Sequence, residues 1–218
     1  MIITIDGPAG SGKSTAARVL ADCLGYRFLD TGAMYRSVAW ACLQAGMDLT
    51  DEARVAECAR GLRIRFEDQR VLCDGADVTE RIRTAEVTQA ASVVALNPGV
   101  RDAMAELQRR AVDGNDIVTE GRDQGTVVFP QAEFKFFLTA RDEVRAERRR
   151  RDLQAQGVEV SRREMLARLK ERDERDQGRA VAPLKPAEDA VVIDTSEMSI
   201  EGMLSQMEAI VRGGDSPS

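Results

Sequence analysis

Short apolar runs alternate along the chain with longer stretches whose apolar positions recur every three or four residues. The runs Ile2–Ile5, Arg27–Leu29, Ile117–Thr119, Phe134–Thr139 and Val191–Asp194 suit buried parallel strands rather than half-exposed ones. Between or beside them the spacing predicts helices over Ser14–Leu24, Ala33–Ala45, Val100–Val112, Asp142–Gln154 and Ile200–Val211. This alternation predicts an α/β fold with three layers, a central parallel sheet of about five strands between helices. Gly25 stands where a helix C-cap glycine belongs. The Gly/Ser/Pro tail 213–218 is expected to be disordered.

One segment breaks the pattern. Leu62–Phe66, Arg70–Cys73 and Ala76–Thr79 are short and rich in strand formers, and Asp74-Gly75 makes a tight turn between the last two. They predict a small antiparallel β insertion. A second segment, Arg141–Arg179, carries 13 basic against 10 acidic residues in a chain of net charge −6. Its Ser161-Arg162-Arg163-Glu164 is a capping box that starts a helix.

Composition then removes whole classes of chemistry. The 218 residues contain no histidine, which excludes Ser-His-Asp and Cys-His nucleophile systems and His-ligated metals. Cys23, Cys42, Cys58 and Cys73 form no CxxC pair, so they are expected to be small buried hydrophobes of a reducing compartment. No run approaches a membrane span, and a cytoplasmic location is expected. An acidic chain is not a general nucleic-acid binder, so no stable nucleic-acid partner is expected.

Gly7-Pro8-Ala9-Gly10-Ser11-Gly12-Lys13-Ser14-Thr15 fits GxxxxGK[ST] between a strand and a helix. Glycines let successive N–H groups curl around phosphate oxygens, and the helix N-terminus adds positive potential. Lys13 is placed to bridge the β- and γ-phosphates of ATP, and the Ser14 hydroxyl to ligate Mg²⁺. No guanine-specifying segment follows, and the chain is short for a motor. A small phosphotransferase remains, and it must recognise an acceptor.

Three clusters fall where a doubly wound sheet holds its ligands. In Leu29-Asp30-Thr31-Gly32-Ala33-Met34-Tyr35-Arg36, a strand is read as ending, turning through Gly32 and starting a helix that carries Tyr35 and Arg36 toward a nucleotide; an N-capped helix with a surface Arg is the plainer alternative. In Glu120-Gly121-Arg122-Asp123-Gln124-Gly125-Thr126, Arg122 can grip phosphate and Asp123 can accept from an amino group. An internal Arg122–Asp123 ion pair is the plainer alternative. Arg172, Asp176 and Arg179 share one helix face if the helix persists that far, either as site residues or as a solvated ion-pair stripe. The run Arg148–Arg151, with Arg141 and Arg145 before it, suits a lid over a polyphosphate. An RNA-binding strip is the rival reading, weakened by the lack of nearby aromatic stacking platforms.

Together these motifs resemble the bacterial cytidylate kinases, of the nucleoside monophosphate kinase group. The resemblance rests on GPAGSGKST at 7–15, LDTGAMYR at 29–36, DVTERIR at 77–83, GRDQGTVVFP at 121–130 and RDERDQGRAVAPLKPAEDA at 172–190. It implies ATP- and Mg²⁺-dependent phosphorylation of CMP and dCMP by a P-loop fold; a monomer is expected because no long apolar stripe is left over. It implies one domain with a core at 1–34, 85–140 and 180–212, an acceptor region at 35–84 and a lid at 141–179. Thr31, Tyr35, Arg36, Arg122 and Arg172 would surround the acceptor phosphate and sugar. Ser92, Arg101 and Asp123 would read the base, and Asp176 with Arg172 the ribose. Lys13, Arg122, Arg172 and Arg179, with Arg145 or Arg148, would act on the transferring phosphoryl group, and both lid arginines would contact ATP. Gln124 stands where the family usually has an apolar residue.

Overall fold

A computed structural model describes residues 1–67, 70–112, 114–155 and 157–213. Two compact units divide the chain. One contains Met1–Leu29 and the chain from Gly114 onward, and the other runs from Asp30 to the stretch before Gly114.

In the first unit, β1 (Ile2–Asp6) leads through the glycine-rich loop into α1 (Lys13–Leu24), and β2 (Arg27–Asp30) follows. The predicted C-cap holds: Gly25 is left-handed at φ 70°, and its N–H returns to the carbonyls of Ala21 and Asp22. The first unit's β1 and β2 are joined by three later strands, whose numbers follow those of the second unit.

The second unit opens with α2 (Thr31–Gln44) and α3 (Glu52–Gly61). Next come β3 (Ile64–Glu67), β4 (Arg70–Cys73) and β5 (Ala76–Asp77), the expected antiparallel insertion. Asp74 and Gly75 both take positive φ in its last turn. A 3₁₀ turn at Arg81–Arg83 precedes α4 (Ala85–Val94) and α5 (Pro98–Ala111). The periodicity reading gave α3 no bounds, although the stretch around Cys58 reads as helical, and it missed α4. Their buried faces are mostly alanine and valine, Val55, Ala56 and Ala59 in α3 and Val87, Ala90, Ala91 and Val94 in α4, so no large-residue stripe announces them. Four side chains cap these helices: Asp30, Asp51, Thr84 and Asn97. The Asn97 amide also donates to the Glu52 carbonyl at 2.8 Å, tying the start of α5 to the start of α3.

The first unit resumes with β6 (Ile117–Gly121), a π-turn at Gln124–Val128, β7 (Phe134–Thr139), α6 (Asp142–Ala155), α7 (Arg162–Gln177), β8 (Val191–Asp194) and α8 (Ile200–Gly213). Five strands lie in the order β2-β6-β1-β7-β8, as expected, with β1 parallel to β6 and β7 and β7 parallel to β8. The core is built on Ile3, Ile5, Phe136 and Leu138 of the central strands, with Leu20 of α1 and Met207 of α8 packed among them. Each such side chain contributes roughly 1.5–3 kcal/mol by leaving water. The tail, apart from Gly213 in α8, lies outside the described residues.

The register explains the site. Asp6 stands opposite Gly121 on one side and Phe137 on the other, so β1, β6 and β7 end together. Gly7, Arg122 and Ala140 therefore leave the same carboxyl edge of the sheet. A separate cluster holds the Arg-rich arm: Ala146 and Leu153 of α6 meet Met165 and Leu169 of α7, and Ala9 of the glycine-rich loop packs with them.

Among the described residues no helix is long and apolar enough to cross a membrane. The cysteine expectation holds for Cys42 and Cys73, which are buried, but Cys23 is exposed and Cys58 half-exposed. Cys23 lies on the solvent side of α1, where a small side chain costs little.

Candidate active site

The glycine-rich loop is shaped by close approach. At Gly7 a Cβ would sit 2.1 Å from the Leu138 carbonyl oxygen, so the loop can leave β1 beside β7 only as glycine. At Gly12, with φ +92°, a Cβ would meet nothing closer than the Arg148 guanidinium at 3.9 Å. Side chains hold three of the loop's carbonyls. The Lys13 ammonium donates to Pro8 at 3.1 Å, Arg145 to Ala9 at 3.1 Å, and the Thr195 hydroxyl to Ser11 at 3.0 Å. Among the described residues no side chain caps α1, and the buried Ser11 hydroxyl finds no hydrogen-bond partner. The uncapped amides of a helix start beside an open glycine and a free hydroxyl fit an anionic polyphosphate.

Lys13 is almost fully buried, with its ammonium 3.9 Å from the Glu120 carboxylate. Burial, together with the positive charges of Arg122 and Arg172, lowers its pKa to about 7 against the pull of Glu120 and Asp176. The lysine is thus strained toward its neutral form and is stabilised as a cation by any arriving phosphate.

Next to it lies a buried charge network. Arg122 donates to Asp176 at 2.8 Å, and Arg179 donates to the other oxygen of the same carboxylate at 2.5 Å. All three side chains are at most 16% exposed. Burial alone would raise the Asp176 pKa, but Arg122, Arg179 and Arg172 outweigh it and hold it near 2. The solvated-stripe alternative therefore does not describe Asp176 and Arg179. The Arg122 guanidinium also donates to its neighbour's carbonyl, Gly121, at 3.2 Å. One part of the helix expectation fails: α7 ends at Gln177 with Gly178 as C-cap, so Arg179 lies beyond the helix and reaches back to Asp176.

The arm's arginines divide by environment. Arg145, 4% exposed, bonds the carbonyls of Ala140 and Ala9 and the carboxylates of Asp142 and Asp173. Arg148 donates to the hydroxyl and the carbonyl of Thr195. Arg150 and Arg151 share Glu147 at the surface as an ordinary solvated helix pair.

In the second unit, Thr31 is already the first residue of α2 and Asp30 its N-cap, accepting from the Ala33 N–H at 2.7 Å. No turn intervenes at Gly32, because the aspartate starts the helix directly. The same carboxylate takes Arg36 at 3.4 Å on each oxygen. One turn along, the Tyr35 ring lies 5.8 Å from the Arg101 guanidinium, which is itself buried and donates to the Ala95 carbonyl. The Ser92 hydroxyl donates to Gln89 within α4. Tyr35 and Arg101 are thus brought together as a ring and a cation.

The chain matches the family described as Cytidylate kinase over residues 3–212. It belongs to the cytidylate kinase family. The cytidylate kinase of Pseudomonas aeruginosa (strain LESB58) is 46% identical over 217 residues, covering 97% of this chain and 93% of that protein. Cytidylate kinase 1 of Haemophilus influenzae is 47% identical over 216 residues, covering 97% and 94%. Among solved structures, a shikimate kinase from Bacteroides thetaiotaomicron superposes with a TM-score of 0.51 at 11% identity, over 97% of this chain and 98% of that one, which speaks for the fold alone.

Four residues of this cytidylate kinase family member escaped the motif reading. Glu120 stands one residue before the end of β6, next to β1, and an acidic residue closing an apolar run beside the phosphate loop was a legible signal. The capped-helix alternative for residues 29–36 left its cap unnamed, and the cap is Asp30. Thr195 and Asp173 could not, because their partners Ser11 and Arg145 are 184 and 28 residues away along the chain.

Proposed function

We infer that this chain transfers the γ-phosphoryl group of ATP to CMP, giving ADP and CDP. The observation that carries the reading is the phosphate loop flanked by a buried Arg122–Asp176–Arg179 network, in a chain matched to cytidylate kinases over nearly its full length. The loop amides and Lys13 bind the donor phosphates. Arg122, Arg172 and Arg179 offset negative charge on the transferring group's oxygens, and no covalent enzyme intermediate is required.

Ser14, exposed at the start of α1, and Glu120 would hold Mg²⁺, which would neutralise charge on the phosphates. Thr31, Tyr35, Arg36, Ser92 and Arg101 take the acceptor, with Asp123 completing base recognition and Asp176 serving the ribose. The region 35–84 and the arm 141–179 act as acceptor-binding part and lid, and Arg148, whose guanidinium lies beside Gly12 of the loop, is the lid arginine that contacts ATP. dCMP is accepted, and the enzyme acts as a monomer.

Cytosine presents an amino donor beside two acceptors, so a carboxylate and an arginine complement it. Uracil turns an acceptor toward the carboxylate and leaves it unpaired. The test is ³¹P NMR of a mixture of Mg-ATP, CMP and enzyme. ADP and CDP signals should appear together in equal amounts; ADP and free phosphate without CDP would overturn the transfer.

A further inference from the structure

Asp6 is the last residue of β1, immediately before the phosphate loop, and it is 4% exposed. Its side chain reaches the π-turn. One carboxylate oxygen accepts from the Gln124 N–H at 2.9 Å and the other from the Gly125 N–H at 2.8 Å. These two amides open the π-turn, directly after Arg122 and Asp123. π-Turns are rare and tend to mark functional positions.

The turn is held from the neighbouring strands as well. A Cβ on Gly125 would stand 2.9 Å from the Thr4 hydroxyl of β1 and 3.2 Å from the Lys135 side chain of β7. Lys135 in turn donates to the Pro130 carbonyl, just past the turn, at 2.6 Å. The Gln124 side chain is fully buried and accepts from the Thr119 hydroxyl at 3.0 Å. Burial raises the Asp6 pKa to about 7, while the two amide donors pull it down. A carboxyl group kept in so costly a place has a reason to be there.

We propose that Asp6 is a positioning residue for the transfer: its carboxylate, bridging the Gln124 and Gly125 amides, fixes Arg122 and Asp123 in register with the phosphate loop. One strand end thereby aligns both halves of the reaction, the donor loop through the backbone and the acceptor-side turn through the side chain. A carboxylate suits the task because it offers one acceptor oxygen to each amide. Asparagine keeps the volume but turns an NH₂ group toward one of the two N–H donors.

The inference rests on the CMP kinase reading, so wild-type turnover of CMP is measured first; its absence would refute that reading and leave the role of Asp6 without a readout in this reaction. With turnover in hand, Asp6→Asn is compared with wild type for the KM of each substrate, for kcat and for melting temperature. The expected result is a KM for CMP raised, or a kcat lowered, about tenfold or more, with the KM for ATP within about threefold. A purely structural role would raise both KM values in step with a lower melting temperature, and that result overturns the proposal. So does a folded variant with a CMP KM and kcat within about twofold of wild type. Should Asp6→Asn not fold, hydrogen exchange in the wild-type protein decides. Slow exchange of the Gln124 and Gly125 amides supports the bridge, and loop-like rates at both overturn it.

Discussion

The guanidinium of Arg145 donates to the carbonyl of Ala9 at 3.1 Å while pairing with Asp173 at 2.7 Å, so one side chain joins the phosphate loop to both helices of the arm. A nucleotide contact by Arg145 would require it to leave four protein acceptors. Its first service is to the shape of the loop, because the carbonyl it holds cannot turn into the anion cradle. Arg145→Ala leaves Asp173 buried without its partner and should lower stability by about 3–5 kcal/mol. Denaturant unfolding measures the loss, and the KM for ATP should rise with it. A variant as stable as wild type would show that the strut is incidental.

Lys13 gives the loop a pH signature. Its pKa is lowered to about 7 by burial first and by Arg122 and Arg172 next, and the polyphosphate reverses that balance. At pH 8 the free lysine is mostly neutral and becomes protonated when ATP binds. At pH 6 it is protonated already. Calorimetric titration of Mg-ATP in buffers of different ionisation enthalpy should therefore show proton uptake approaching one per site at pH 8 and little at pH 6. Uptake that does not increase between the two would contradict this assignment. Lys13→Ala should remain folded and lose nearly all turnover.

Asp176 orders Arg122 and Arg179 by giving each one oxygen. Asp176→Asn removes the negative charge and leaves two buried cations to repel each other. Arg179→Ala is the cleaner probe of catalysis, since Asp176 keeps Arg122. Its kcat should fall about 10²-fold or more with substrate KM values changed far less. Equal loss in KM with kcat preserved would make Arg179 a binding group only.

Asp123 is assigned to the base. Asp123→Ala should lose at least about tenfold of the preference for CMP over UMP, measured as a ratio of kcat/KM values. Discrimination kept in full would move base recognition to Ser92 and Arg101.

The sheet was legible because parallel strands covered on both faces read as plain apolar runs, and β7 and β8 match their expected spans to the residue. The phosphate loop was legible because its chemistry is local in sequence. What stayed hidden depends on distant partners or weak patterns. α4 buries alanine and valine, which carry little periodic signal, and the same composition left α3 without bounds. The turn expected at Gly32 became the first turn of α2 because Asp30 caps the helix one residue before Thr31. Arg179 leaves the helix face predicted for it because Gly178 ends α7, yet it still reaches Asp176. Arg145 looked like one of several lid arginines, and only tertiary contacts separate it from Arg150 and Arg151 at the surface.

The central claim is that the chain is a phosphotransferase selective for CMP. ADP formation from Mg-ATP, measured with each ribo- and deoxyribonucleoside monophosphate offered singly, tests it most directly. Turnover with CMP and dCMP is expected far above that with UMP, AMP or GMP. Equal turnover with UMP, or none that depends on a nucleoside monophosphate, would contradict it.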